Sequence, residues 1–255
     1  MVKYHEDFVE RLHLVWGLGF LSPGGPDEVR DIVRGLALDG ARVLDIGCGT
    51  GGPAIVLAKE TGANLVAIDV EEQLLERATR LARREGVADR IEFRLVEPGP
   101  LPFDEASFDV VFSKDSLIHI ADKAGLYNGI LRVLKPGGRF AASDWLSGEN
   151  AAEDPAFREY MGAVHLDFTM ATAAETVAVM RAAGFADIRT KDRNAWYAEV
   201  AAQDLAAIEG PLREQIIAVS SQETYEEWVI IRRQHAAVVR SGSLRPTHLD
   251  GTRPQ

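Results

Sequence analysis

The residues at positions 43–52 constrain the fold of this chain more than any other stretch of its sequence. The run at 43–46 is mostly apolar, which is typical of a buried parallel strand. Gly47, Gly49 and Gly51 follow directly, and glycine lets a backbone turn tightly and lie against a ligand. This pattern of strand and glycine turn predicts a ligand pocket at the carboxyl edge of a parallel sheet.

Strand and helix patterns then alternate along the chain at the spacing of βαβ units. Further short apolar runs predict strands at 65–69, 91–95, 108–112, 139–143 and 188–191. This order predicts an α/β fold, doubly wound and Rossmann-like, with a mostly parallel sheet that we expect to have seven strands.

The remaining segments complete one domain over residues 1–255. Helical periodicity before the first strand predicts an N-terminal helical cap at 1–40. Residues 151–182 lie between the fifth and sixth predicted strands, where an insertion would form a helical lid over the carboxyl edge. Residues 197–240 are expected to be mostly helical. The last dozen residues, with two prolines and a glycine, are expected to be irregular.

Charge and composition exclude several kinds of partner. The formal net charge of −11, with no basic stripe, argues against nucleic acid. A single cysteine, Cys48, excludes an internal disulfide and a multi-cysteine metal site, and we expect no bound metal. No secretory signal and no membrane-length apolar run is present, so we expect a cytoplasmic protein that acts on a small soluble molecule.

The ligand of the glycine turn has two interpretations. Gly47, Gly49 and Gly52 match the spacing of a dinucleotide fingerprint, so an NAD-dependent dehydrogenase is one alternative. Asp45, however, would repel a pyrophosphate and would suit the cationic methionine end of S-adenosylmethionine (SAM). Asp69 stands about 20 residues beyond the turn, at the position of an acid that binds ribose hydroxyls.

The segment Asp-Ile-Gly-Cys-Gly-Thr-Gly at 45–51 closely resembles the first motif of class I SAM-dependent methyltransferases. The runs at 101–104 and 107–111 also look like the approach to the fourth strand of the small-molecule members. Glu97 stands near the place of their usual adenine-contacting aspartate. The resemblance implies that SAM, with S-adenosylhomocysteine as product, is held by Asp45, Gly47, Gly49, Gly51, Asp69, Val70, Glu97 and Asp115.

A second resemblance concerns the acceptor. The segment Lys114–His119 is similar to the Arg-Asp-x-x-x-His motif of the phosphoethanolamine, or phosphobase, N-methyltransferases. Amino-methyltransferases that act on nucleic acids carry a Pro-Pro-aromatic motif at this point, and this segment lacks it. The resemblance implies that Tyr4 and His119 are catalytic and deprotonate an amine together. This agrees with chemistry, because an alkylammonium must lose a proton before it attacks a methyl group, and histidine exchanges protons near pH 7. Asp115 is expected to hold an ammonium or to orient a water.

The family resemblance also implies an acceptor site, formed by Tyr4, Asp115, His119, Trp145, Tyr160 and Arg245. Tyr160 matches the first residue of the family's phosphate clamp. Val164 and Leu166, however, replace an arginine and a tyrosine of that clamp, and neither can bind an anion. An acceptor with a carboxylate, or with no anion, fits equally well. The sequence leaves open whether Arg158, His165 or Arg193 replaces the missing anion-binding residues.

These observations predict a SAM-dependent methyltransferase that transfers a methyl group by in-line displacement to a small acceptor. An amine nitrogen is the first choice, with Tyr4 and His119 assisting proton removal. O-methylation of a small natural product is the alternative. A third hypothesis is a SAM-binding protein without catalytic activity, although the presence of both Tyr4 and His119 argues against it.

Overall fold

The computed structural model describes residues 4–164, 166 and 168–255. Within these residues, seven strands form one sheet in the order β3-β2-β1-β4-β5-β7-β6. The strands are β1 (Arg42–Ile46), β2 (Asn64–Asp69), β3 (Ile91–Leu95), β4 (Phe108–Lys114), β5 (Leu134–Ser147), β6 (Ala186–Asp192) and β7 (Leu244–Thr252). The order reverses between β1 and β4, as expected of a doubly wound α/β fold.

Helices cover both faces of this sheet and extend beyond it. They are α1 (Glu6–Trp16), α2 (Gly25–Ile32), α3 (Gly52–Thr61), α4 (Glu72–Arg84), α5 (Lys123–Val133), α6 (Pro155–Ala163), α7 (Ala173–Ala183), α8 (Asn194–Glu209), α9 (Arg213–Val219) and α10 (Gln222–Ser241). The C-terminal helices confirm the helical prediction for 197–240. None of the helices in the described part of the chain has the length and apolar character needed to cross a membrane.

The sheet is mixed, because β7 runs antiparallel to both of its neighbours, β5 and β6. The prediction that the last dozen residues are irregular was therefore wrong. Pro246 lies just beyond the last pairing of β7 with β6, where a missing amide is tolerated. A Cβ at Gly251 would lie 3.0 Å from the Phe185 ring, so a larger residue would crowd this part of the core. The strand therefore accommodates both Pro246 and Gly251, although these residue types favour a turn when only the sequence is considered.

Alternate residues of the central strands divide the core between the two faces of the sheet. Val43 packs with the side of the sheet that carries α2, α3 and α4, whereas Leu44 packs with the side that carries α5 and α7. Both residues are fully buried. This double burial is why the strands read as continuous apolar runs rather than alternating ones.

The 151–182 segment divides into two parts. Met180 of α7 lies in the same core cluster as Ile130 of α5, so α7 covers the sheet as an ordinary crossover helix. Tyr160 of α6 instead packs with Tyr197 of α8 and Val238 of α10. Within the predicted lid, only the α6 part therefore belongs to a layer beyond the sheet.

Helix α1 lies on the glycine turn and on α4. His13 Nε2 is 3.1 Å from Thr50 Oγ1, and the Gly52 amide donates to the Gly19 carbonyl at 2.9 Å. Arg77 of α4 binds Glu10 of α1. These contacts place the N-terminal cap over the carboxyl edge of β1, where the glycine turn begins.

Candidate active site

The glycine turn after β1 is built by contacts that only glycine permits. Gly47 has φ +72°, and a Cβ there would lie 1.9 Å from Ser116 Oγ. Gly51 has φ +85°, and a Cβ would lie 2.8 Å from Ala78. Both conformations are left-handed, which favours glycine. The turn is therefore shaped by close packing against the protein. Its amides at Gly47, Cys48, Gly49, Gly51 and Gly52 all donate hydrogen bonds within the protein.

Asp69, at the end of β2, holds the glycine turn. Its Oδ2 accepts from the Gly49 amide at 2.8 Å, and its Oδ1 accepts from the Glu71 amide at 3.1 Å. Burial raises the pKa of Asp69 even though these hydrogen bonds oppose the shift. The carboxylate predicted to bind the ribose hydroxyls is thus half-buried and lies directly beside the turn.

Asp45 is a buried acid at the same place, and one of its oxygens lacks a partner. Its side chain is 1% exposed, and Oδ2 has no hydrogen-bond partner among the described residues. Burial, with a smaller contribution from the charge of Asp69, raises the pKa of Asp45 to about 8. Two neighbouring carboxyl groups of this kind favour a cationic or hydrogen-bond-donating ligand. The donor set therefore fits the cationic amino end of SAM.

The neighbouring strand ends present apolar surface. Val70 is 51% exposed and Leu95, at the end of β3, is 49% exposed. Apolar side chains at the carboxyl edge are suited to the faces of a flat ring, which fits the predicted adenine site. Leu95 was not predicted, although an apolar last residue of a strand is a signal that could have suggested it. Glu97 follows and is also exposed.

Asp115 lies at the end of β4 in a left-handed conformation, with φ +56°. Its Oδ2 accepts from Lys114 Nζ at 2.8 Å and its Oδ1 accepts from Ser143 Oγ at 2.7 Å. Burial acts to raise the pKa of Asp115, but the Lys114 ammonium and the hydrogen bonds hold it below its ordinary value. The carboxylate is thus already paired with a cation, which the sequence analysis did not anticipate.

Lys114 also connects the site to the N-terminal cap. Its Nζ donates to Ser22 Oγ at 2.6 Å and to the Pro23 carbonyl at 2.8 Å. The loop at 22–25 therefore packs onto the end of β4 through a buried ammonium. The sequence analysis did not predict this contact.

His119 stands in a 3-10 turn, Leu117–His119, that is held on several sides. The Ile118 amide donates to Asp144 Oδ1 at 3.1 Å, and Lys123 Nζ donates to the Leu117 carbonyl at 2.7 Å. Burial is the main reason that the pKa of Asp144 rises to about 7. These contacts fix the backbone from which the His119 side chain extends.

Tyr4 and His119 meet in the structure. The Tyr4 hydroxyl is 3.4 Å from His119 Nε2, and the Phe168 ring centroid lies 5.2 Å from that of His119. Burial, together with the charges of Asp69 and Glu71, raises the pKa of the Tyr4 phenol. The two residues proposed from the family resemblance are thus in contact although 115 positions separate them.

Trp145 and Tyr160 belong to an aromatic cluster on the C-terminal helices. The Tyr160 hydroxyl is 2.8 Å from His235 Nδ1, and His235 Nε2 is 3.0 Å from the Tyr197 hydroxyl. The Trp145 ring centroid lies 4.8 Å from that of Tyr197. His235 and Tyr197 were not predicted, because nothing in a helical sequence pattern marks them.

Arg245 lies apart from this cluster. It is paired across the strands with Leu146, so it points to the opposite face of the sheet from Trp145. Its guanidinium donates to Asp192 Oδ2 at 2.9 Å through Nε, and to the Gly242 carbonyl. These contacts pair Arg245 with Asp192 and Gly242 rather than with Tyr160, and its predicted place in the acceptor site stays a prediction.

The other residues considered for binding an acceptor anion have partners elsewhere or lie outside the described residues. Arg193 binds Glu28, whose carboxylate also lies 2.6 Å from His248 Nε2. Arg158 donates to the Ala152 carbonyl at 2.7 Å, and His165 lies outside the described residues. Glu28, His248 and Asp31 stand close enough to share a metal ion, but Arg193 and Lys191 bind these carboxylates.

Comparison with known proteins identifies the family. A family model described as "Methyltransferase domain" matches residues 37–201, which is more than half of the chain. The chain belongs to the methyltransferase domain family. This confirms the prediction of a class I SAM-dependent methyltransferase and makes SAM the expected cofactor.

Two curated relatives show which methyltransferases this chain is similar to. Phosphoethanolamine N-methyltransferase 1 of Arabidopsis thaliana is 30% identical over 229 residues, which are 89% of this chain and 45% of that protein. The sterol 24-C-methyltransferase erg6 of Aspergillus fumigatus is 35% identical over 158 residues, which are 60% of this chain and 42% of that protein. The chain thus spans less than half of the length of either relative.

A solved structure of a phosphoethanolamine N-methyltransferase resembles the whole chain. Haemonchus contortus phosphoethanolamine N-methyltransferase 2, in complex with phosphomonomethylethanolamine and S-adenosylhomocysteine, superposes with a TM-score of 0.90 at 26% identity. The match covers 99% of this chain and 59% of the other.

Proposed function

We propose that this chain transfers a methyl group from SAM to the nitrogen of a small amine. The observation that carries this proposal is the contact between Tyr4 and His119, near the carboxylates Asp45 and Asp69 of the glycine turn. The relatives named for phosphoethanolamine N-methylation support an amine as the acceptor class.

The residues that would hold SAM are Asp45, Asp69 and the glycine turn, whose lack of side chains lets a ligand lie against its backbone. The sulfonium of bound SAM supplies a methyl group that a nucleophile can take by in-line displacement. Asp45 would receive the cationic amino group, because its Oδ2 has no partner among the described residues. Val70 and Leu95 would cover the faces of the adenine ring. The protein contributes mainly alignment, since the nucleophile and the methyl group must be collinear.

Proton removal falls to His119. An alkylammonium acceptor must lose a proton, and imidazole accepts protons near neutral pH. Tyr4 has a phenol pKa that burial raises, so it stays protonated and acts as a hydrogen-bond partner rather than as a separate base. Its hydroxyl, 3.4 Å from His119 Nε2, orients the ring and closes the site from the N-terminal side.

Methylation of oxygen remains the second candidate, because the phosphate clamp of the phosphobase enzymes is incomplete here. Val164 and Leu166 stand at two clamp positions, and Arg245 binds Asp192. An uncharged hydroxyl acceptor needs no such clamp. A base is also useful in that reaction, so the Tyr4–His119 contact fits it too.

A panel of acceptors tests the proposal. SAM binding is measured by calorimetry, and methylated products from phosphoethanolamine, ethanolamine, sarcosine and catechol are measured by mass spectrometry. We expect methylated amine from at least one of the first three. A methylated phenol alone would favour the oxygen candidate. Tight SAM binding without any methylated product would favour a binding protein and contradict the proposal.

The substitution His119→Ala tests the proton step. We expect a loss of turnover of roughly 10²-fold or more, because general base catalysis is removed, with SAM affinity nearly unchanged. Tyr4→Phe should give a smaller loss, since only the orienting hydroxyl is removed. Turnover of His119→Ala equal to that of the unmodified protein would rule out its role.

The substitution Asp69→Ala tests the cofactor site separately. We expect weaker SAM binding, because a ribose contact and the hydrogen bond to the Gly49 amide are both lost. Asp89→Ala, at an exposed residue between α4 and β3, is the control. Unchanged SAM affinity in Asp69→Ala would place the cofactor elsewhere.

A further inference from the structure

The connection between α6 and α7 is fixed to the carboxyl edge of the sheet at two places. The Thr169 amide donates to the Ile118 carbonyl at 2.8 Å, within the turn that carries His119. The Ser147 amide, at the end of β5, donates to the Ala171 carbonyl at 3.0 Å. The backbone of this connection is therefore held beside the proposed base by hydrogen bonds that do not depend on a bound acceptor.

These hydrogen bonds place the ring of Phe168 beside His119. The two ring centroids lie 5.2 Å apart, with an angle of 46° between the ring planes. Phe168 is half-buried, so part of its ring is accessible to a ligand. Within the described part of the chain, Phe168 belongs to none of the four apolar core clusters, whereas the nearby Met170 packs against one of them. Core packing therefore does not account for the position of this ring.

An amine that meets His119 lies within reach of the Phe168 ring. A nitrogen atom that is hydrogen-bonded to an imidazole lies about 3 Å from the ring nitrogen that it contacts. A cation is attracted to the face of an aromatic ring within about 6 Å of the ring centroid. Because the centroids of His119 and Phe168 are 5.2 Å apart, an ammonium on the side of Phe168 can meet both conditions.

An aromatic face also suits the change that methylation causes in the acceptor. A primary ammonium has three N–H donors, and each methyl group that it gains removes one of them. Hydrogen-bond acceptors therefore hold the later forms less well, whereas an aromatic ring holds them through their charge. Phenylalanine has no polar side-chain atom, so it does not compete with His119 for the proton of the ammonium.

We propose that Phe168 is a specificity-determining residue, whose ring face binds the alkylammonium of the methyl acceptor beside His119 and favours the more highly methylated forms. The inference rests on the proposed function, because it takes the acceptor to be an amine that meets His119. It adds a residue to the acceptor site that was predicted from the sequence. Binding at this ring should depend on the positive charge of the ligand and not only on its shape.

The first experiment measures ligand binding at the ring without turnover. The protein saturated with S-adenosylhomocysteine is titrated by calorimetry with choline, phosphocholine and glycine betaine, which share a trimethylammonium group. Each is compared with the analogue in which a carbon atom replaces the charged nitrogen. We expect at least one trimethylammonium compound to bind at least about fivefold more tightly than its carbon analogue. Equal binding within every pair, or no binding of any trimethylammonium compound, would overturn the inference.

Variants at position 168 separate recognition of charge from apolar contact. Phe168→Leu should weaken binding of the trimethylammonium compound by about five- to thirtyfold and leave its carbon analogue almost unaffected. Pentafluorophenylalanine in place of Phe168 keeps the ring but removes the negative charge of its face, so it should have the same effect. Phe168→Trp should retain binding of the cation. Equal losses for a compound and its carbon analogue would show an apolar wall and overturn the inference.

Phe185→Leu is the matched control for the loss of a phenylalanine ring. Phe185 is buried in the core just before β6, and β6 runs in the same direction as β5, since both are antiparallel to β7. Phe185 therefore lies at the amino edge of the sheet, opposite the proposed acceptor site. We expect Phe185→Leu to leave the preference for the trimethylammonium compound over its carbon analogue unchanged. Loss of that preference in the control would contradict the assignment to Phe168.

The second experiment measures methyl transfer to ethanolamine, N-methylethanolamine, N,N-dimethylethanolamine and their phosphate esters. In Phe168→Leu we expect KM to rise most for the dimethylated acceptor and least for the unmethylated one. The kcat and the affinity for SAM should stay nearly unchanged, because Phe168 takes part in neither proton removal nor cofactor binding. Equal changes in KM across the series would overturn the preference for the more highly methylated forms.

The two experiments separate this inference from the proposed function. Methylation of an amine with unchanged KM values in Phe168→Leu would overturn the role of Phe168 and leave the proposed function standing. Charge-dependent binding at Phe168 without methylation of any amine would refute the proposed function, and with it the role of this ring in the choice of acceptor.

Discussion

Asp45 makes SAM binding depend on pH in a way that the structure predicts in sign and size. In the ligand-free protein, burial and the charge of Asp69 raise the pKa of Asp45 to about 8, so the group is mostly protonated at pH 7. A cationic amino group at Oδ2 favours the ionised form. Binding therefore expels a proton, and affinity should increase as the pH rises toward 8.

The size of the change in SAM affinity follows from the linkage between SAM binding and the ionisation of Asp45. If bound Asp45 is ionised throughout, the dissociation constant scales as one plus ten to the power of pKa minus pH. With a pKa of about 8, the dissociation constant is about fifty-fold higher at pH 6 than at pH 8. Calorimetry in buffers of different ionisation enthalpy measures both the affinity and the proton released.

Asp45→Asn is the matched variant, because an amide has the same shape and no charge to gain. We expect weaker SAM binding with little pH dependence between pH 6 and 8. Asp89→Asn, at an exposed residue, should leave both properties unchanged. A flat affinity profile for the unmodified protein, without proton release, would refute the reasoning.

The same ionisation affects folding of the ligand-free protein. Because the folded pKa of Asp45 lies above the ordinary value of an aspartate, its stabilising contribution is present below about pH 4 and is lost as pH rises through about 8. Asp45→Asn should therefore raise the free energy of unfolding at pH 8 relative to the unmodified protein. Chemical denaturation at pH 5 and 8 measures this difference, and a lower stability of the variant at pH 8 would contradict it.

Chemical denaturation tests two further substitutions. Lys114→Met should cost about 3–5 kcal/mol because it leaves the Asp115 carboxylate buried without its cation, and adding Asp115→Asn should recover much of the loss. A loss below about 1 kcal/mol would contradict the pairing. Gly47→Ala should cost at least about 2 kcal/mol more than Gly86→Ala. Both glycines have φ +72°, but only at Gly47 would the new Cβ meet Ser116. Equal losses would contradict the contact.

The site could be predicted from the sequence wherever one local segment carries both the structure and the chemistry. The run at 43–52 places Asp45, the glycine turn and the start of α3 within ten residues, so periodicity and glycine spacing were sufficient. The position of Asp69 followed in the same way from its distance along a βαβ unit. That Tyr4 and His119 act together could be predicted only from the resemblance to a family, because no local pattern connects residues 115 positions apart.

The tertiary structure decided what depends on pairing between distant segments. β7 is a strand because β5 and β6 supply hydrogen-bonding partners on both sides, whereas its own proline and glycine favour a turn. Arg245 binds Asp192 because strand register puts it on the face of Leu146, opposite to that of Trp145. Residue type shows what a side chain can bind. Register and helix packing decide what it meets, and they depend on contacts that no local stretch of sequence contains.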